Sequence, residues 1–413
     1  MRDWVSCLVA VAVLVVLLCA PAGADRWMIG KPIVTYWAGP AMTDATAQQM
    51  AQGNWNVVWC TEEELDVVLS HGLRAQLQNG LLDPATLDDA AKKAELDALI
   101  DRVKSHPALY SYFLRDEPNT AAFPGLARLV AYLRERDPAH LAYINLFPTN
   151  ARTEDLGTQG DVVTAYREYL RQYIDIVQPD LISYDHYHWA VGGLDNDQYF
   201  LNLAMIRRCA LDAGLPFLNI VQACTWTPAM RVPNGSEVRW LVWTSLAYGA
   251  QGISYYVYCY PGHRGAVANA DGTPTELYYA LRTINRDFAA IAGELQPLRS
   301  IGAYHLGMVP DGAEALPGGF PFHLEPAPPA KDYAPPAPIE GMVIGAFGPA
   351  KGKPTHVVVV NLDYKQSATT ILVGPGPLQV FGPGTGKWRP AQGDRIKLRL
   401  PPGGGRLVRV APR

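Results

Sequence analysis

Three charged residues, Arg115, Asp116 and Glu117, directly follow the aromatic and apolar run YSYFL in the sequence. Such a run is typical of a buried β-strand, and Pro118, which comes next, cannot continue a central strand. The strand therefore ends in carboxyl groups. Either this end emerges into solvent as a surface ion cluster, or it forms a site whose chemistry needs carboxylates.

A second strand-like segment, LISYDHY, contains Asp185. Side chains alternate between the two faces of a strand, so counting by two from Ser111 reaches Glu117, and counting from Ser183 reaches Asp185. If the two small serines mark one crowded interior, Glu117 and Asp185 face the same cavity. A bulge near Pro118 would break this alternation.

Two histidines, His186 and His188, follow Asp185 along the same segment. Together with Asp185 they could bind a metal ion, although a His-x-His pair alone is weak support for a metal site. The plainer alternative is a strand that leaves the core with its last side chains in water. The sequence predicts neither a metal ion nor any other cofactor.

Paired carboxyl groups suit glycoside hydrolysis, in which one protonates the leaving oxygen and the other attacks the anomeric carbon or activates water. The candidates at predicted strand ends are Asp116, Glu117 and Asp185. Strand alternation favours Glu117 and Asp185 as the catalytic pair. Three further glutamates, at positions 62–64, are better explained as the acidic first turn of a helix.

The other predicted strand ends supply mostly amides and aromatic rings, which hydrogen-bond sugar hydroxyls and stack on the apolar faces of pyranose rings. Arg115 is the one arginine of the set and lysine is absent, which disfavours phosphate and nucleotide substrates. The predicted substrate-binding residues are Asp116, Arg115, Tyr36, Trp37, Trp59, Gln78, Asn145, His186, Tyr187, His188, Gln222, Trp226, Tyr256 and Tyr258.

Eight strand-like segments alternate with helix-like segments, which predicts parallel strands joined by right-handed crossovers. Their number and length match a (β/α)8 TIM barrel, whose active sites lie at the C-terminal ends of the strands. An open doubly wound sheet is the alternative, but TYWAGPAM after the first strand is not a GxGxxG loop. The segments are 32–39, 56–60, 73–78, 109–116, 142–147, 181–187, 216–223 and 252–258.

The sequence predicts three parts after residue 24: a catalytic barrel at 25–305, a Pro- and Gly-rich linker or irregular segment at 306–341, and a small all-β sandwich at 342–413. Short runs separated by turn residues predict the sandwich strands. They are GMVIGAFG, HVVVVNLD, ATTILVG, LQVFG, RIKLRL and RLVRV. With Trp388 as its only tryptophan, the sandwich is expected to cover the barrel rather than to bind sugar.

The first 24 residues have the pattern of a signal peptide: Arg2, an apolar run at 5–18, and the A-x-A sequence Ala22-Gly23-Ala24. An N-terminal membrane anchor is the alternative, but the run is short for a full span. We therefore expect a secreted or periplasmic protein that has no integral membrane association after signal cleavage.

The composition places the chain among globular proteins. It has 413 residues, 18% of them charged and 49% hydrophobic, and a net charge of −4, which gives no sign of nucleic-acid binding. Beyond the signal peptide it has four cysteines, Cys60, Cys209, Cys224 and Cys259. Cys224 and Cys259 follow neighbouring predicted strands, so a disulfide between them and four buried thiols both remain open. The expected partner is a carbohydrate substrate, and the sequence makes no prediction of oligomeric state.

Three segments resemble a known family. HPALYSYFLRDEPN is similar to the fourth-strand segment of clan A retaining (β/α)8 glycoside hydrolases of the β-galactosidase and cellulase type, in which an Asn-Glu-Pro motif carries the acid/base glutamate; Asp116, Glu117 and Pro118 match it. EVRWLVWTSLAYGAQGISYYVY resembles the segment from helix 7 to strand 8 of β-galactosidase-like barrels. LRLPPGGGRLVRV resembles the closing strands of the small β-domain that follows many such barrels.

The sequence departs from this family at strand 7, where the family has its nucleophilic glutamate and this chain has Gln222. Other barrel glycosidases have carboxylates on strands 4 and 6, and ISYDHY resembles these and the Tyr-Asp strand of chitinase-like barrels. The resemblance therefore implies Glu117 as acid/base and Asp185 as nucleophile or base. Asp116 would bind sugar or help to keep Glu117 protonated, because adjacent carboxyl groups disfavour double ionisation.

The leading hypothesis is an exported glycoside hydrolase that cleaves an oligo- or polysaccharide. The second hypothesis is a carbohydrate-binding barrel without catalysis, which the absent strand-7 carboxylate motivates. The third is a metal-dependent hydrolase that uses Asp185, His186 and His188.

Overall fold

The chain forms a parallel β barrel followed by antiparallel sheets. The computed structural model describes residues 27–328 and 341–412. The predicted signal peptide, residues 1–24, lies outside the described residues. Within them, none of the helices is long and apolar enough to cross a membrane.

The predicted (β/α)8 barrel is confirmed. Eight parallel strands form one sheet in the order β1-β8-β7-β6-β5-β4-β3-β2, and none extends more than one residue beyond its predicted segment. The strands are β1 Ile33–Trp37, β2 Val57–Cys60, β3 Arg74–Leu77, β4 Leu109–Asp116, β5 Leu141–Leu146, β6 Ile182–His186, β7 Phe217–Gln222 and β8 Gly252–Tyr256.

The barrel is nearly closed, because β1 and β2 are joined by one backbone hydrogen bond and by side-chain bonds instead of a regular ladder. The backbone N–H of Asn56 donates to the Val34 carbonyl at 3.0 Å, and the Asn56 side chain bonds the Val34 N–H at 3.0 Å and the Pro32 carbonyl at 2.9 Å. Nearer the C-terminal end, the Trp59 indole donates to the Tyr36 carbonyl at 2.7 Å. These bonds satisfy backbone groups that would otherwise lack partners at the seam.

Helices follow the strands and cover the barrel. They are α1 Asp44–Gln52, α2 Leu65–Ser70, α3 Ala90–Val103, α4 Phe123–Arg136, α5 Thr153–Leu156, α6 Val162–Gln172, α7 Tyr199–Ala213, α8 Gly235–Tyr248 and α9 Glu276–Leu295. Side chains of Asp89 and Asn234 cap the N-termini of α3 and α8. Gly214 and Gly249 end α7 and α8 in the left-handed conformation that favours glycine.

The barrel interior changes character along its axis. One buried apolar cluster fills it toward the N-terminal ends of the strands, as packing of a barrel of this size requires. The cluster consists of Trp27, Ile29, Ile33, Val57, Tyr110, Leu141, Tyr143, Leu181, Leu218 and Ile220. Toward the C-terminal ends the strands carry Asp116, Asn145 and Asp185, so the polar site rests on an apolar floor.

The predicted C-terminal β sandwich is also confirmed as two sheets that share one hydrophobic core. Pairing is antiparallel except for the two-residue contact of β9 with β10. The sheet orders are β10-β9-β12-β13-β18-β15-β16 and β11-β14-β17. The strands are β9 Arg299–Leu306, β10 Glu314–Ala315, β11 His323–Pro326, β12 Met342–Gly348, β13 His356–Asn361, β14 Ala368–Val373, β15 Leu378–Gly382, β16 Lys387–Pro390, β17 Arg395–Leu400 and β18 Gly405–Val410.

Three strands lie outside the range that the sequence predicts for the sandwich. All but the last residue of strand β9 falls in the predicted barrel range, yet the strand is hydrogen-bonded along β12. Strands β10 and β11 fall within the predicted linker at 306–341. Proline and glycine are frequent in that segment, and a strand of two to four residues is too short to show a periodic pattern.

Helix α8 lies between the barrel and the larger C-terminal sheet. It is buried on nearly every side, which explains why its sequence is apolar all round. Gly345 of β12 permits close contact, because a Cβ there would lie 2.1 Å from the carbonyl oxygen of Ala247 on α8. On the same sheet, the Trp388 indole donates to Glu294 of α9 at 3.0 Å, so Trp388 contacts the barrel as its covering role predicts.

All four described cysteines, Cys60, Cys209, Cys224 and Cys259, are free thiols. The disulfide between Cys224 and Cys259 that the sequence leaves open is therefore not formed. Burial raises the pKa of Cys60, Cys209 and Cys224 to about 12, so these thiols stay protonated and behave as small apolar groups.

Candidate active site

Strand β4 contains a bulge just before its acidic end. Its register against β5 shifts between Phe113 and Arg115, and beyond the shift Asp116 lies opposite Asn145. An extra residue reverses the alternation of side chains along a strand. Counting by two from Ser111 is therefore wrong beyond the bulge: the regular interior position belongs to Asp116, and Glu117 enters the site by another route.

That route is a left-handed backbone conformation at Glu117, with φ of 43°. Residues other than glycine rarely adopt it, so the surroundings must hold it in place. The Glu117 N–H donates to the Asn145 carbonyl at 2.9 Å, and the Tyr169 hydroxyl donates to the Pro118 carbonyl at 2.7 Å. The turn brings the Glu117 carboxyl group into hydrogen-bonding contact with Asp185.

Asn145 connects the carboxylates of two strands. Its Nδ2 donates to Asp116 Oδ1 and to Asp185 Oδ1, both at 3.1 Å. Its Oδ1 accepts from the Ser183 hydroxyl at 3.1 Å, and the hydroxyls of Tyr143 and Ser183 are 2.7 Å apart. The three predicted carboxyl groups therefore form one hydrogen-bonded cluster.

The cluster separates the proton affinities of its members. Burial raises the pKa of Glu117, and the negative charges of Asp185 and Asp116 raise it further. Burial also raises the pKa of Asp185, whose side chain is 3% exposed. Hydrogen bonds from Asn145 and Tyr187 oppose that rise. Of these two groups, Glu117 therefore holds its proton more tightly, and Asp185 ionises first.

Asp116 is the most exposed member of the cluster, Glu117 is half-buried, and Asp185 is buried. The protein around Asp116 still desolvates its carboxyl group enough to raise the pKa, while the Asn145 amide lowers it. Among the described residues, the groups that shift the pKa values of Asp116, Glu117 and Asp185 include no lysine or arginine. The charge of the cluster is thus balanced by a shared proton and by hydrogen bonds.

Aromatic rings form the inner wall of the site. Trp37 and Trp59 have ring centroids 4.9 Å apart, and Phe113 lies 5.5 Å from the first and 4.7 Å from the second. Tyr143 joins this group 6.5 Å from Trp37. The structure thus places the predicted site residues Trp37 and Trp59 together in the barrel interior.

A second aromatic group, Tyr187, Trp226 and Tyr256, borders the carboxylates. Its ring centroids are 4.8 to 4.9 Å apart. The charge of Asp185 adds to burial in raising the pKa of Tyr187 and of Tyr256, which shows that both lie close to the cluster. All three rings are half-buried and so present surface on which a sugar ring could stack.

Two predicted site tyrosines, Tyr36 and Tyr258, are not at the cleft. Both are buried, with ring centroids 5.1 Å apart, and the Tyr258 hydroxyl accepts a bond from Gln49 of α1 at 2.8 Å. They belong to the layer between strands and helices. Tyr36 lies there because it alternates with Trp37, which takes the interior face.

His186 and His188 also contact other parts of the protein. His186 is fully buried, with Nδ1 2.9 Å from Oδ1 of Asn202 on α7. His188 Nδ1 is 2.8 Å from the carbonyl oxygen of Asn196, and its ring stacks on Trp240 at 5.0 Å. Burial lowers the pKa of both histidines to about 4, so they are neutral at pH 7.

These positions contradict the metal-site alternative for Asp185. His186 alternates with Asp185 along β6 and therefore points to the opposite face of the sheet. Across residues 27–328 and 341–412, no three or more His, Cys, Asp or Glu side chains are grouped so that they could hold a metal ion.

Gln222, the last residue of β7, joins two loops through its side chain. Its Oε1 accepts from the Trp189 N–H at 2.8 Å, and its Nε2 donates to the carbonyls of Trp189 at 3.1 Å and Arg231 at 2.8 Å. The side chain is fully buried. Its hydrogen-bonding groups are thus occupied by the loops after β6 and β7, which contradicts a substrate-binding role.

The last two predicted residues lie at the rim. Arg115 forms an ion pair with Asp83 at 2.9 Å, and both side chains are well exposed. The bulge in β4 accounts for this position, because it turns Arg115 outward. Gln78 is exposed just beyond the end of β3.

Sequence reasoning missed Phe113, Tyr143, Ser183 and His263 as members or neighbours of the site. The first three were detectable from strand alternation. Tyr143 and Ser183 each lie two residues before a predicted site residue, and Phe113 lies two residues after Ser111. His263 comes from the loop after β8, and its Nε2 is 3.1 Å from the Tyr256 hydroxyl. No periodicity argument reaches a loop residue.

Comparisons with known proteins give structural matches only. No protein-family model matches the chain, and no curated protein is similar to it in sequence. Solved glycoside hydrolase barrels are similar at low identity. A family 30 subfamily 8 xylanase from Clostridium acetobutylicum has 10% identity and a TM-score of 0.45, with 92% of this chain and 95% of that chain covered.

Two further matches cover 64% of this chain. A β-galactosidase from Marinomonas ef1 has 12% identity and a TM-score of 0.44, and the match spans 60% of that protein. A family 5 mannosidase from Rhizomucor miehei has 11% identity and a TM-score of 0.42, with 95% of that chain covered. Similarity at this level does not establish a shared activity.

Proposed function

We propose that the protein is a glycoside hydrolase in which Glu117 protonates the glycosidic oxygen and Asp185 is the second catalytic carboxylate. One observation carries the proposal: at the C-terminal mouth of the barrel, the carboxyl groups of Glu117 and Asp185 lie in contact, and their surroundings raise the pKa of Glu117 to about 9 and that of Asp185 to about 7. Two carboxyl groups whose environments separate their pKa values are the requirement for acid and base roles in one site.

The substrate class follows from the surroundings of the pair. The half-buried rings of Tyr187, Trp226 and Tyr256 suit the apolar face of a pyranose, and Asp116 can accept hydrogen bonds from sugar hydroxyls. We therefore propose an oligo- or polysaccharide as the substrate.

Substrate binding must open the carboxyl pair. A hydrogen bond between carboxyl groups joins oxygens at about 2.5–3.0 Å, whereas retaining glycosidases separate the two groups by about 5–5.5 Å and inverting ones by about 6.5–9.5 Å. Glu117 must therefore exchange its bond to Asp185 for one to the glycosidic oxygen. The separation in the opened state would then decide the stereochemical outcome.

The direct test is hydrolysis of a panel of polysaccharides and aryl glycosides by the wild type and by Glu117→Gln and Asp185→Asn. We expect both variants to lose about 10²-fold or more of kcat on any glycoside that the wild type cleaves. Asp83→Asn is the matched control, because Asp83 lies at the same rim but outside the cluster. Full activity of Glu117→Gln would contradict the assignment.

A non-catalytic sugar-binding barrel is the second candidate. The position of Gln222 favours it, because the hydrogen-bonding groups of this side chain are occupied by loop backbone and are not free to act in the cleft. Under this candidate the wild type binds oligosaccharides without turnover. Calorimetric titration of the wild type and of Glu117→Gln would then give similar affinities, with reducing ends absent after long incubation.

We also propose that the protein is exported, on the basis of residues 1–24. Expression of the full chain should yield a mature protein that begins near Asp25 in the periplasm or medium. N-terminal sequencing tests this, and an intact N-terminus on a cell-associated protein would contradict it.

A further inference from the structure

We propose that Tyr143, Ser183 and Asn145 are positioning residues that decide which carboxyl group of the cluster carries the proton. This inference deepens the proposed function and rests on it for its catalytic meaning. It stands on the chain of hydrogen bonds that leads from β5 and β6 to the carboxylates.

The chain has a single direction. A hydroxyl group has one proton to donate. Ser183 uses its proton on Asn145 Oδ1, at 3.1 Å. The 2.7 Å contact between Tyr143 and Ser183 must therefore have the Tyr143 hydroxyl as donor.

The two carboxylates fix the orientation of the Asn145 amide, and this orientation in turn sets the direction of the chain. With Oδ1 occupied by Ser183, the NH2 group faces the carboxylates and gives one hydrogen to Asp116 and one to Asp185. The opposite orientation would place the amide oxygen against two carboxylate oxygens. All three positioning residues are at most 3% exposed, so water cannot easily replace their bonds.

As a consequence, the Asn145 amide donates a hydrogen bond to two of the three carboxyl groups and not to the third. Amide donors favour the ionised form of Asp116 and Asp185. Glu117 receives no bond from this amide and lies close to both negative charges. The shared proton therefore goes to Glu117, the residue proposed to donate it to the leaving group.

Other titratable groups also face the cluster, and their contributions must be separated from that of Asn145. They come from α5, α6, the loop after β6, β8 and the loop after β8, and are Asp155, Tyr166, Tyr169, Tyr187, Tyr256 and, behind Tyr256, His263. Arg152 forms a hydrogen bond with Asp155 and lowers the pKa of that carboxyl group. Most of the others are tyrosines whose pKa values are raised, so they stay neutral across the range of the test.

The experiment is the pH dependence of kcat/KM for Asn145→Ala and, as a milder change, Ser183→Ala. We expect the acidic limb of Asn145→Ala to move up by about one pH unit, because Asp185 loses a charge-assisted hydrogen bond. The basic limb should move to lower pH, because protonation of Asp116 or Asp185 removes a negative charge that raises the pKa of Glu117. Ser183→Ala should shift both limbs in the same directions by less.

Ser254→Ala is the matched control. Ser254 is a buried serine on β8, 1% exposed, and its hydroxyl has no hydrogen-bond partner among the described residues. It should leave both limbs in place. A merely structural role of Asn145 would lower activity or stability without moving either limb, and that result would overturn the inference.

Direct titration of the carboxyl groups by 13C NMR or difference infrared spectroscopy, on the full protein, separates this inference from the proposed function. Glu117→Gln identifies the Glu117 signal. If that signal titrates at lower pH in Asn145→Ala than in the wild type, the inference holds, even if no glycoside is cleaved. If the Glu117 signal is unchanged in Asn145→Ala and in Ser183→Ala, the inference fails, whatever the activity.

Discussion

Glu117 differs from the other acidic residues of the chain because backbone and environment act on it together. Its left-handed backbone and its N–H bond to Asn145 place the carboxyl group beside Asp185. Burial and two neighbouring negative charges then disfavour ionisation. The result is a proton donor, in contrast to Glu62, whose pKa the hydrogen-bonded Arg102 lowers.

This arrangement predicts a pH-dependent stability. Folding raises the pKa of Glu117. Its contribution to the free energy of unfolding is therefore fully present below the pKa of the unfolded chain, about 4.3, and is lost as pH rises through the pKa of the folded protein. Glutamine resembles the protonated form at every pH. Glu117→Gln should therefore be more stable than the wild type at pH 7.5, by about 1 kcal/mol, with a smaller difference at pH 4.5.

Thermal unfolding at the two pH values measures this difference. Asp83→Asn serves as the control, since that rim carboxyl group belongs to an exposed ion pair and should change stability little at either pH. A Glu117→Gln variant that is less stable than the wild type at pH 7.5 would contradict the account.

At the scale of elements, the loops after β6 and β7 are held together by Gln222 instead of presenting a catalytic side chain. Replacement by glutamate puts a carboxylate against the carbonyls that the amide now bonds. Gln222→Glu should therefore lower the free energy of unfolding by about 3–5 kcal/mol and should not raise glycosidase activity. Urea unfolding tests this, with Gln78→Glu as the exposed control; a stable, more active Gln222→Glu would show that strand 7 can supply a nucleophile.

The contact between β12 and α8 gives a second prediction at this scale. A methyl group on residue 345 would approach the Ala247 carbonyl oxygen to 2.1 Å. Gly345→Ala should lower the free energy of unfolding by about 3 kcal/mol, because backbone must move to admit it. Gly318→Ala, where a Cβ meets nothing within 4 Å, is the control. Equal stabilities of the two variants would mean that β12 and α8 are not in close contact.

The elements were predictable where periodicity is strong, and the site was predictable only in part. All eight barrel strands follow from apolar runs, and Glu117 and Asp185 follow from strand ends. A bulge near Pro118 could be named as a possibility, but its presence could not be predicted, because nothing in YSYFLRDEP marks an extra residue. Tyr36, His186 and Tyr258 were assigned to the cleft by proximity to strand ends, but alternation and the loop after β8 turn them toward helices.

At the scale of the whole molecule, the C-terminal sheets complete the barrel's exterior. Helix α8 carries Trp240 and Trp243, which lie against Gly403 and Gly405 of the C-terminal part. A chain truncated after residue 298 would expose these side chains. An apolar patch of this kind promotes association.

We therefore expect the 1–298 chain to be largely insoluble or to bind a hydrophobic dye strongly. Co-expression of residues 299–413 should restore solubility if the sheets act by covering α8. Centrifugation and dye fluorescence measure both effects. A soluble, monomeric and dye-silent 1–298 chain would show that the barrel does not depend on this cover.

The central claim is that Glu117 donates a proton to the leaving group, and leaving-group dependence tests it most directly. The measurement is kcat/KM of Glu117→Gln, relative to wild type, for two glycosides of the same sugar: one with an activated aryl leaving group and one with an alkyl leaving group. An activated phenol needs little protonation, so the variant should lose about 10²–10⁴-fold on the alkyl glycoside and far less on the aryl glycoside. Equal losses on both substrates would contradict a proton-donating role for Glu117.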